Sequence, residues 1–463
     1  MFVISEFHTF EPSNNYPIKI NEMKKLLFAG LLSLLSQIGI SQQLESAIIT
    51  NPNHSDYVHG QLIRIYDENI SVVLSGSGGQ YAFYLLENGN TIGRKVEITT
   101  GDTINDFCVL EDKTIYFCST NGGCRIGHFS FDAFFQPEII KVALLANGID
   151  NISKIKAYKD PDDKMFTHVV AIGSANSHSI IIDLNDKASY PNLEYSVAAS
   201  LNQNERWQDL DLDGKYVLTA GLDGNTLYLH HFYMTDLSYA GGGYFTTPIG
   251  LAYNTKTIFL QHLYDHKYAV VSDMAFFPSD VYTYCQIFDL ATSPQITLEY
   301  ERTIMQPEKN IIRDVEYSKD DDELLVLMTS GKVGDDAWKD YLVYAPLKQA
   351  MPLPMQVKAV FFGNYSPQYP YLNSVRMFKP YHYTIVGTEP MNNNMFLFAK
   401  DKTYETGTSC NKYDYINMDG SNIGTTNAPT NCQPFGSIPT FWQPLQPSNP
   451  IIEGFQTDCY STH

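Results

Sequence analysis

Three aspartates, Asp106, Asp209 and Asp314, stand at matching places in three similar strings, DFCVLED, DLDLDGK and DVEYSKD. Two residues on come Cys108, Asp211 and Glu316, while the intervening Phe107, Leu210 and Val315 are apolar. Alternation at period two puts the two sets on opposite sides of an extended strand. If such strands converge, their carboxylates raise one another's pKa, as a general acid requires. Joined by His262 and Arg376, they would equip a hydrolase or lyase acting on polysaccharide. The same column carries Arg64, Lys154, Lys156 and Arg376. Four cations against five carboxylates (Asp106, Asp209, Asp211, Asp314 and Glu316) nearly cancel. The expected state is therefore an ion-paired lining that satisfies buried charge, with an acid site or a cation site as its alternatives.

Other candidate strings reduce to turns. Asp209-x-Asp211-x-Asp213-Gly214 opens like a calcium loop, but the twelfth position, where a bidentate Glu belongs, is Ala220. Alternation running into an Asp-Gly hairpin explains it better. SGSGGQ (75–80) joins two strand-like segments and opens no helix, so it lacks the context of a phosphate loop. No Gly-x-Ser-x-Gly or HExxH string occurs, and the histidines, His230 and His231 included, are scattered. No metal or cofactor is expected.

The elements that must position these residues form a repeat. An alternating segment, a polar turn and a second alternating segment recur at 62–77, 106–120, 154–174, 209–221, 260–273, 314–331 and 374–388. Third strands come after them at 80–87, 124–132, 178–184, 225–233, 282–290, 340–347 and 394–401, and fourth strands are visible in most units. Seven units between 46 and 400 average about 51 residues, which suits four-stranded antiparallel blades, and helical periodicity is absent. The fold expected is an all-β, seven-bladed β-propeller over 42–400, with a pair of β-sandwiches as the rival. LESAIIT (44–50) is expected to complete the seventh blade beside 394–401. Aligning opening strands on their turns places Leu62, Asp106, Lys154, Asp209, Leu260, Asp314 and Ser374 in one channel-lining row. Arg64, Cys108, Lys156, Asp211, His262, Glu316 and Arg376 fall in the next, with Gln261 out of place in the apolar column.

LDLDGKYVLTAGLDG (210–224) resembles the DGK-hydrophobic-G core of delta-60 repeats. Over about three quarters of its length the chain resembles secreted bacterial β-propeller repeat proteins of the WD-like, Kelch-like and delta-60 kinds. The resemblance implies fold and export and transfers no functional residue.

Residues 24–41, KKLLFAGLLSLLSQIGIS, have the charged start, short apolar run and small-x-small end of a secretory signal, with cleavage before Gln42. The signal proper begins at Met23, which makes 1–22 an upstream extension. The run is too short to span a bilayer. The expected location is secreted or periplasmic, and no sorting module in the sequence supports surface attachment. All seven cysteines (108, 118, 124, 285, 410, 432 and 459) then lie in the exported part, where some should pair, and Cys118 and Cys124 flank a turn string across which they would face. Residues 401–463, rich in proline, read as an irregular tail or a linker. A net charge of −20 argues against nucleic acid.

Aromatic loops suggest a binding rim: Phe276 and Phe277 in 274–281, Trp338 in 330–340, and Tyr365, Tyr369 and Tyr371 in 361–372. Such rings beside Asn and Asp suit glycans or polypeptides. The function expected is a non-catalytic binder of an envelope or extracellular protein or glycan, within an envelope assembly. The polysaccharide hydrolase or lyase and a purely structural subunit are the alternatives. Oligomeric state is left open.

Overall fold

Second strands of the repeat read as unbroken apolar runs, VVL, VVAI, YVL and LLVLM, where the opening strands alternate. Such runs belong in a sheet covered on both faces, and the computed structural model of the chain puts them there. It describes residues 47–49, most of 60–401, 414–419 and 433–434. The larger omissions within 60–401 are 187–193, 247–257, 291–295, 304–308, 332–337, 348–355, 366–371 and 389–394. Backbone contacts divide the chain into 1–43, which lies outside the described residues together with the predicted signal, and 44–463.

The described residues of the second unit are all-β, in seven antiparallel sheets. The first holds Gly60–Asp67, Ile70–Ser77, Gln80–Glu87 and Asn90–Thr99. The second holds Thr103–Val109, Ile115–Thr120, Cys124–Phe129 and Lys141–Leu144. The third holds Ile149–Lys159, Thr167–Ala175, His178–Asp186 and Glu194–Ala199. The fourth runs Arg206–Leu212, Tyr216–Asp223, Thr226–Tyr233 and Tyr239–Thr246, and the fifth Ile258–Tyr264, Lys267–Phe276, Asp280–Asp289 and Thr297–Thr303. The sixth has Lys309–Ser318, Glu323–Gly331, Trp338–Pro346 and Gln356–Tyr365. The seventh takes Leu372–Lys379, His382–Thr388 and Met395–Asp401 and completes itself with Ala47–Ile49, where Ile48 opposes Phe396. Two pieces of the proline-rich tail, expected to be irregular, join sheet edges instead: Asp414–Asp419 pairs with the last strand of the sixth sheet and Gln433–Pro434 with that of the fourth.

Seven cores hold the sheets, each between one sheet and the next. Val72 and Leu74 enter the core shared with Phe107 and Phe117 of the second sheet, while Val73 between them enters the core shared with Val386 of the seventh. Val169 and Ala171 face the second sheet; Val170 and Ile172 face the fourth. Period-two alternation therefore sends consecutive residues of one strand into different cores. Opening strands lie side by side in sequence order, and that of the seventh sheet lies beside that of the first.

Tight hairpins set the strand directions. Asp213 Oδ1 accepts from the amides of Lys215 (2.8 Å) and Tyr216 (2.6 Å), and Gly214, directly after Asp213, has φ +88°. That is the left-handed region glycine occupies without steric penalty. The Asp-x-Asp-x-Asp-Gly string is thus a strand feeding a turn. Gly173 serves close approach: a Cβ there would lie 1.9 Å from the Asn151 carbonyl oxygen.

Candidate functional site

Six of the seven opening strands carry a one-residue register shift near their start, at Gln61, Asn105, Ser153, Gln208, Arg313 and Asn373. A bulge of this kind re-aims the residues that come after it. In the second, fourth and sixth sheets the next residue along the strand is Asp106, Asp209 and Asp314 respectively, each of them buried.

Each of these carboxylates reaches into the next sheet. Asp106 Oδ2 accepts from the Ile155 amide at 3.2 Å, Asp209 Oδ2 from Leu260 at 2.8 Å and Asp314 Oδ2 from Val375 at 3.0 Å. Asp209 and Asp314 also accept the following amide on their own strands, Leu210 and Val315, both at 3.0 Å. The remaining junctions are bridged by other residues. Asp273 Oδ2 accepts from Ile312 at 2.9 Å, Ser374 Oγ from Ile63 at 3.3 Å, and Lys156 pairs with Asp211 at 3.1 Å. Arg64 donates to Asp106 at 2.7 Å and to the Phe107 carbonyl at 3.0 Å. Every consecutive pair of sheets, the seventh and first included, is thus tied by a named polar contact.

The predicted cations are absorbed in the same network. Arg376 lies 2.6 Å from Asp314 and 3.6 Å from Glu316. Lys154 sits over the Phe259 ring, 5.8 Å from its centroid. Electrostatics reflect burial and pairing. Burial pushes Asp209 above the ordinary carboxylate range, against the pull of Lys154 and of the Leu260 amide. Burial likewise raises Glu316, partly offset by Arg376. Burial alone would raise Asp314 too, but Arg376, Arg64 and the Ser374 hydroxyl hold it below its usual value. Burial of Lys156, which by itself lowers its pKa, is outweighed by Asp211 and Asp209. Burial beside Asp106 pushes the Cys108 thiol up to about 12.

The fifth sheet departs from the alignment read in the sequence. Leu260 donates to Asp209 as Ile155 does to Asp106, so Leu260 belongs with the apolar column and Phe259 and Gln261 with the polar one. Its opening strand lacks the early bulge and shifts instead between His262 and Tyr264, which puts a count from the turn out of step by one. His262 consequently meets the carboxylates through its backbone rather than its ring. Its amide donates to Asp211 at 2.6 Å, and its ring lies 3.2 Å from the Asp265 carbonyl and packs on Tyr268.

The cysteine pairing also differs. Cys118 opposes Ile126 and Cys124 opposes Thr120, so the two thiols sit diagonally and contact the carbonyls of Asp106 (3.7 Å) and Ile149 (3.4 Å). No disulfide joins the four described cysteines, 108, 118, 124 and 285; the other three lie outside the described residues. Among the aromatics expected on loops, Trp338 opens a strand directly opposite Tyr365, and Phe276 ends a strand opposite Asp280. Phe277, Tyr369 and Tyr371 lie outside the described residues.

Two buried polar clusters went unnoticed in the sequence. His168 sits between Asp183 (2.8 Å from Nδ1) and Asp160 (3.0 Å from Nε2) and stacks on Tyr158, whose hydroxyl donates to the Met234 carbonyl of the next sheet. Glu205 accepts from Trp207 Nε1 at 2.5 Å and lies 2.6 Å from His230 Nε2. The His168–Asp183 and Glu205–His230 partners, 15 and 25 residues apart, leave no local spacing signal. Among the described residues no group of three or more His, Cys, Asp or Glu is placed to hold a metal ion, and no helix is long and apolar enough to cross a membrane.

No family model matches the chain, and no curated protein does. Among solved structures it is similar to the Chaetomium thermophilum Sqt1 bound to the N-terminus of ribosomal protein L10, at 11% identity and a TM-score of 0.40 over 75% of this chain and 97% of that one. It is also similar to a prolyl endopeptidase, at 11% identity and a TM-score of 0.38 over 74% of this chain, which spans about 50% of that protein's length. A third likeness is to the Bombyx mori GH32 β-fructofuranosidase BmSUC1, at 9% identity and a TM-score of 0.28 over 83% and 96%.

Proposed function

We propose that the mature chain is an exported, non-catalytic, seven-bladed β-propeller that binds an envelope or extracellular protein or glycan. The ring is supported by seven cores between consecutive sheets, the last joining Val386 to Ile63 and Val73, and by the N-terminal strand that completes the seventh sheet. The absence of catalysis is supported by one observation above others. Asp106, Asp209 and Asp314, the residues an acid mechanism would use, each hold the amide of the neighbouring blade. A buried carboxylate that accepts a backbone hydrogen bond from a neighbouring sheet is occupied in holding the architecture. The binding face is the one formed by opening-strand starts and the turns between second and third strands, with Trp338, Tyr365, Phe276, Phe277, Tyr369 and Tyr371 as its aromatic side.

The test is affinity capture from envelope extract with residues 42–463 as bait, against a Trp338→Ala/Tyr365→Ala double variant. Loss of a defined partner in the variant is the expected result; an unchanged set of partners removes the aromatic side from the proposal. The alternative, a polysaccharide hydrolase or lyase, is favoured by Glu316, which combines a raised pKa with 18% side-chain exposure. It predicts turnover of a polysaccharide that Glu316→Gln abolishes.

A further inference from the structure

The bulges at the starts of the opening strands do more than aim the carboxylates. At four of them stands a primary amide, Gln61, Asn105, Gln208 and Asn373, each half-buried, and exposed Asn151 adjoins Asn105. Each uses one end of its amide on the fold. Gln61 Nε2 donates to the Gly76 carbonyl at 3.0 Å and Asn373 Nδ2 to the Gly60 carbonyl at 2.6 Å, while Gln208 Oε1 accepts from the Ile258 amide at 2.9 Å. Asn105 Nδ2 donates to Thr120 Oγ1 at 3.0 Å, and Asn151 Oδ1 accepts from Thr120 at 3.1 Å. Among the described residues the opposite ends have no partner within hydrogen-bond distance: Oε1 of Gln61, Oδ1 of Asn105 and Asn373, Nε2 of Gln208 and Nδ2 of Asn151. These amides come from the first, second, third, fourth and seventh sheets, at the same end of neighbouring opening strands.

We propose that this set of amides is a binding site for a neutral, polyhydroxylated ligand, the end of a glycan chain. The inference rests on the binding reading above and names its ligand class. Fixed groups that each offer one unused donor or acceptor match sugar hydroxyls, which donate and accept at once. Anchoring one end of each amide removes rotamer freedom in advance, so little ordering remains for the ligand to bring about. Charge selection is not the chemistry offered, because the row beneath is paired internally: Arg64 with Asp106, Lys156 with Asp211, Arg376 with Asp314. An extended peptide would instead call for an open strand edge or an apolar socket, and these opening strands are flanked by neighbours.

The test titrates residues 42–463 with neutral hexaoses (cello-, manno-, xylo-, malto- and chitohexaose) by calorimetry, beside Gln61→Ala, Asn151→Ala and Trp338→Ala/Tyr365→Ala variants. Expected is saturable binding of at least one hexaose, weakened about tenfold or more by Gln61→Ala or Asn151→Ala in variants that still unfold cooperatively, with only the small loss of stability that one hydrogen bond carries. A second readout needs no variant: in protein labelled with ¹⁵N at Asn and Gln, the same hexaose should shift a small set of side-chain NH₂ signals. Binding that survives in both amide variants, without shifted NH₂ signals, overturns the amide site. If only the Trp338/Tyr365 variant then loses it, the broader binding reading stands. No hexaose bound, while a protein partner is captured from extract, overturns the glycan inference alone. Neither glycan nor protein bound overturns both.

Discussion

The backbone amide of Leu260 lies 2.8 Å from Asp209 Oδ2, a bond that crosses from the fifth sheet to the fourth. The same relation links Ile155 to Asp106 and Val375 to Asp314. A side chain on one sheet thereby supplies an acceptor to a strand whose own ladder leaves that amide unsatisfied. Replacing Asp106 by Ala strands both the Ile155 amide and the Arg64 guanidinium and is expected to cost about 3–5 kcal/mol. Asp209→Asn keeps an acceptor and should cost about 1–2 kcal/mol. Urea unfolding midpoints at constant slope would measure both, and equal losses would contradict the distinction.

His168 gives a pH signature. Although burial by itself lowers its pKa, hydrogen bonds and charge from Asp183 and Asp160 prevail and hold the imidazolium above its ordinary value of 6.5. A raised folded-state pKa means that this stabilisation is fully present below about pH 6.5 and is lost as pH rises through the folded value. The melting temperature should therefore fall on the alkaline side of about pH 6.5, and His168→Gln should flatten that fall. An unaltered slope in the variant would assign it to other groups.

His231 acts in the opposite sense. Burial, with His230 beside it, pulls its pKa down to about 4. The folded chain then binds fewer protons than the unfolded one, so stability is complete above about pH 6.5 and declines as pH falls from there towards about 4. The integrated loss is about 3 kcal/mol for a side chain wholly inside. His231→Phe should remove most of this acid limb in a series of denaturant midpoints from about pH 7 to about 4.

Removing residues 42–50 withdraws Ala47–Ile49 from the seventh sheet and bares the edge of Met395–Asp401. Unpaired edges template association. The truncated chain should melt earlier and elute partly as higher oligomers by light scattering, whereas a monomer of unchanged melting temperature would show that the latch contributes nothing.

Thiol accessibility gives a direct check on the cores. Cys108, Cys118, Cys124 and Cys285 are all buried, and burial raises the pKa of Cys108 and Cys118. Maleimide at neutral pH, with peptide mapping afterwards, should leave these four unlabelled until denaturant is added.

Much of this was legible because strand alternation and Asp-Gly turns are local codes. The seven hairpins and the polar column at Asp106, Asp209 and Asp314 come from period two counted back from a turn, and the place of 44–50 beside 394–401 from a seventh unit that lacked a fourth strand of its own. The fifth sheet escaped because a bulge is one residue of slack with no residue type of its own, and Phe259 gives no hint that it replaces a polar neighbour. Asp273 escaped for another reason. It lies on a second strand, yet bridges to Ile312 just as the opening-strand aspartates bridge to their neighbours. His168 and Glu205 depend on which strands are adjacent, a property of the whole sheet order.

Because Val72, Val73 and Leu74 are shared between two cores, no sheet has an interior of its own. Peeling one away would wet the apolar walls of both neighbours, so the penalty for partial melting is doubled for each sheet that stands between two others. Heat should accordingly take the assembly apart in one sharp calorimetric peak, where a string of independent repeats would fray from its ends.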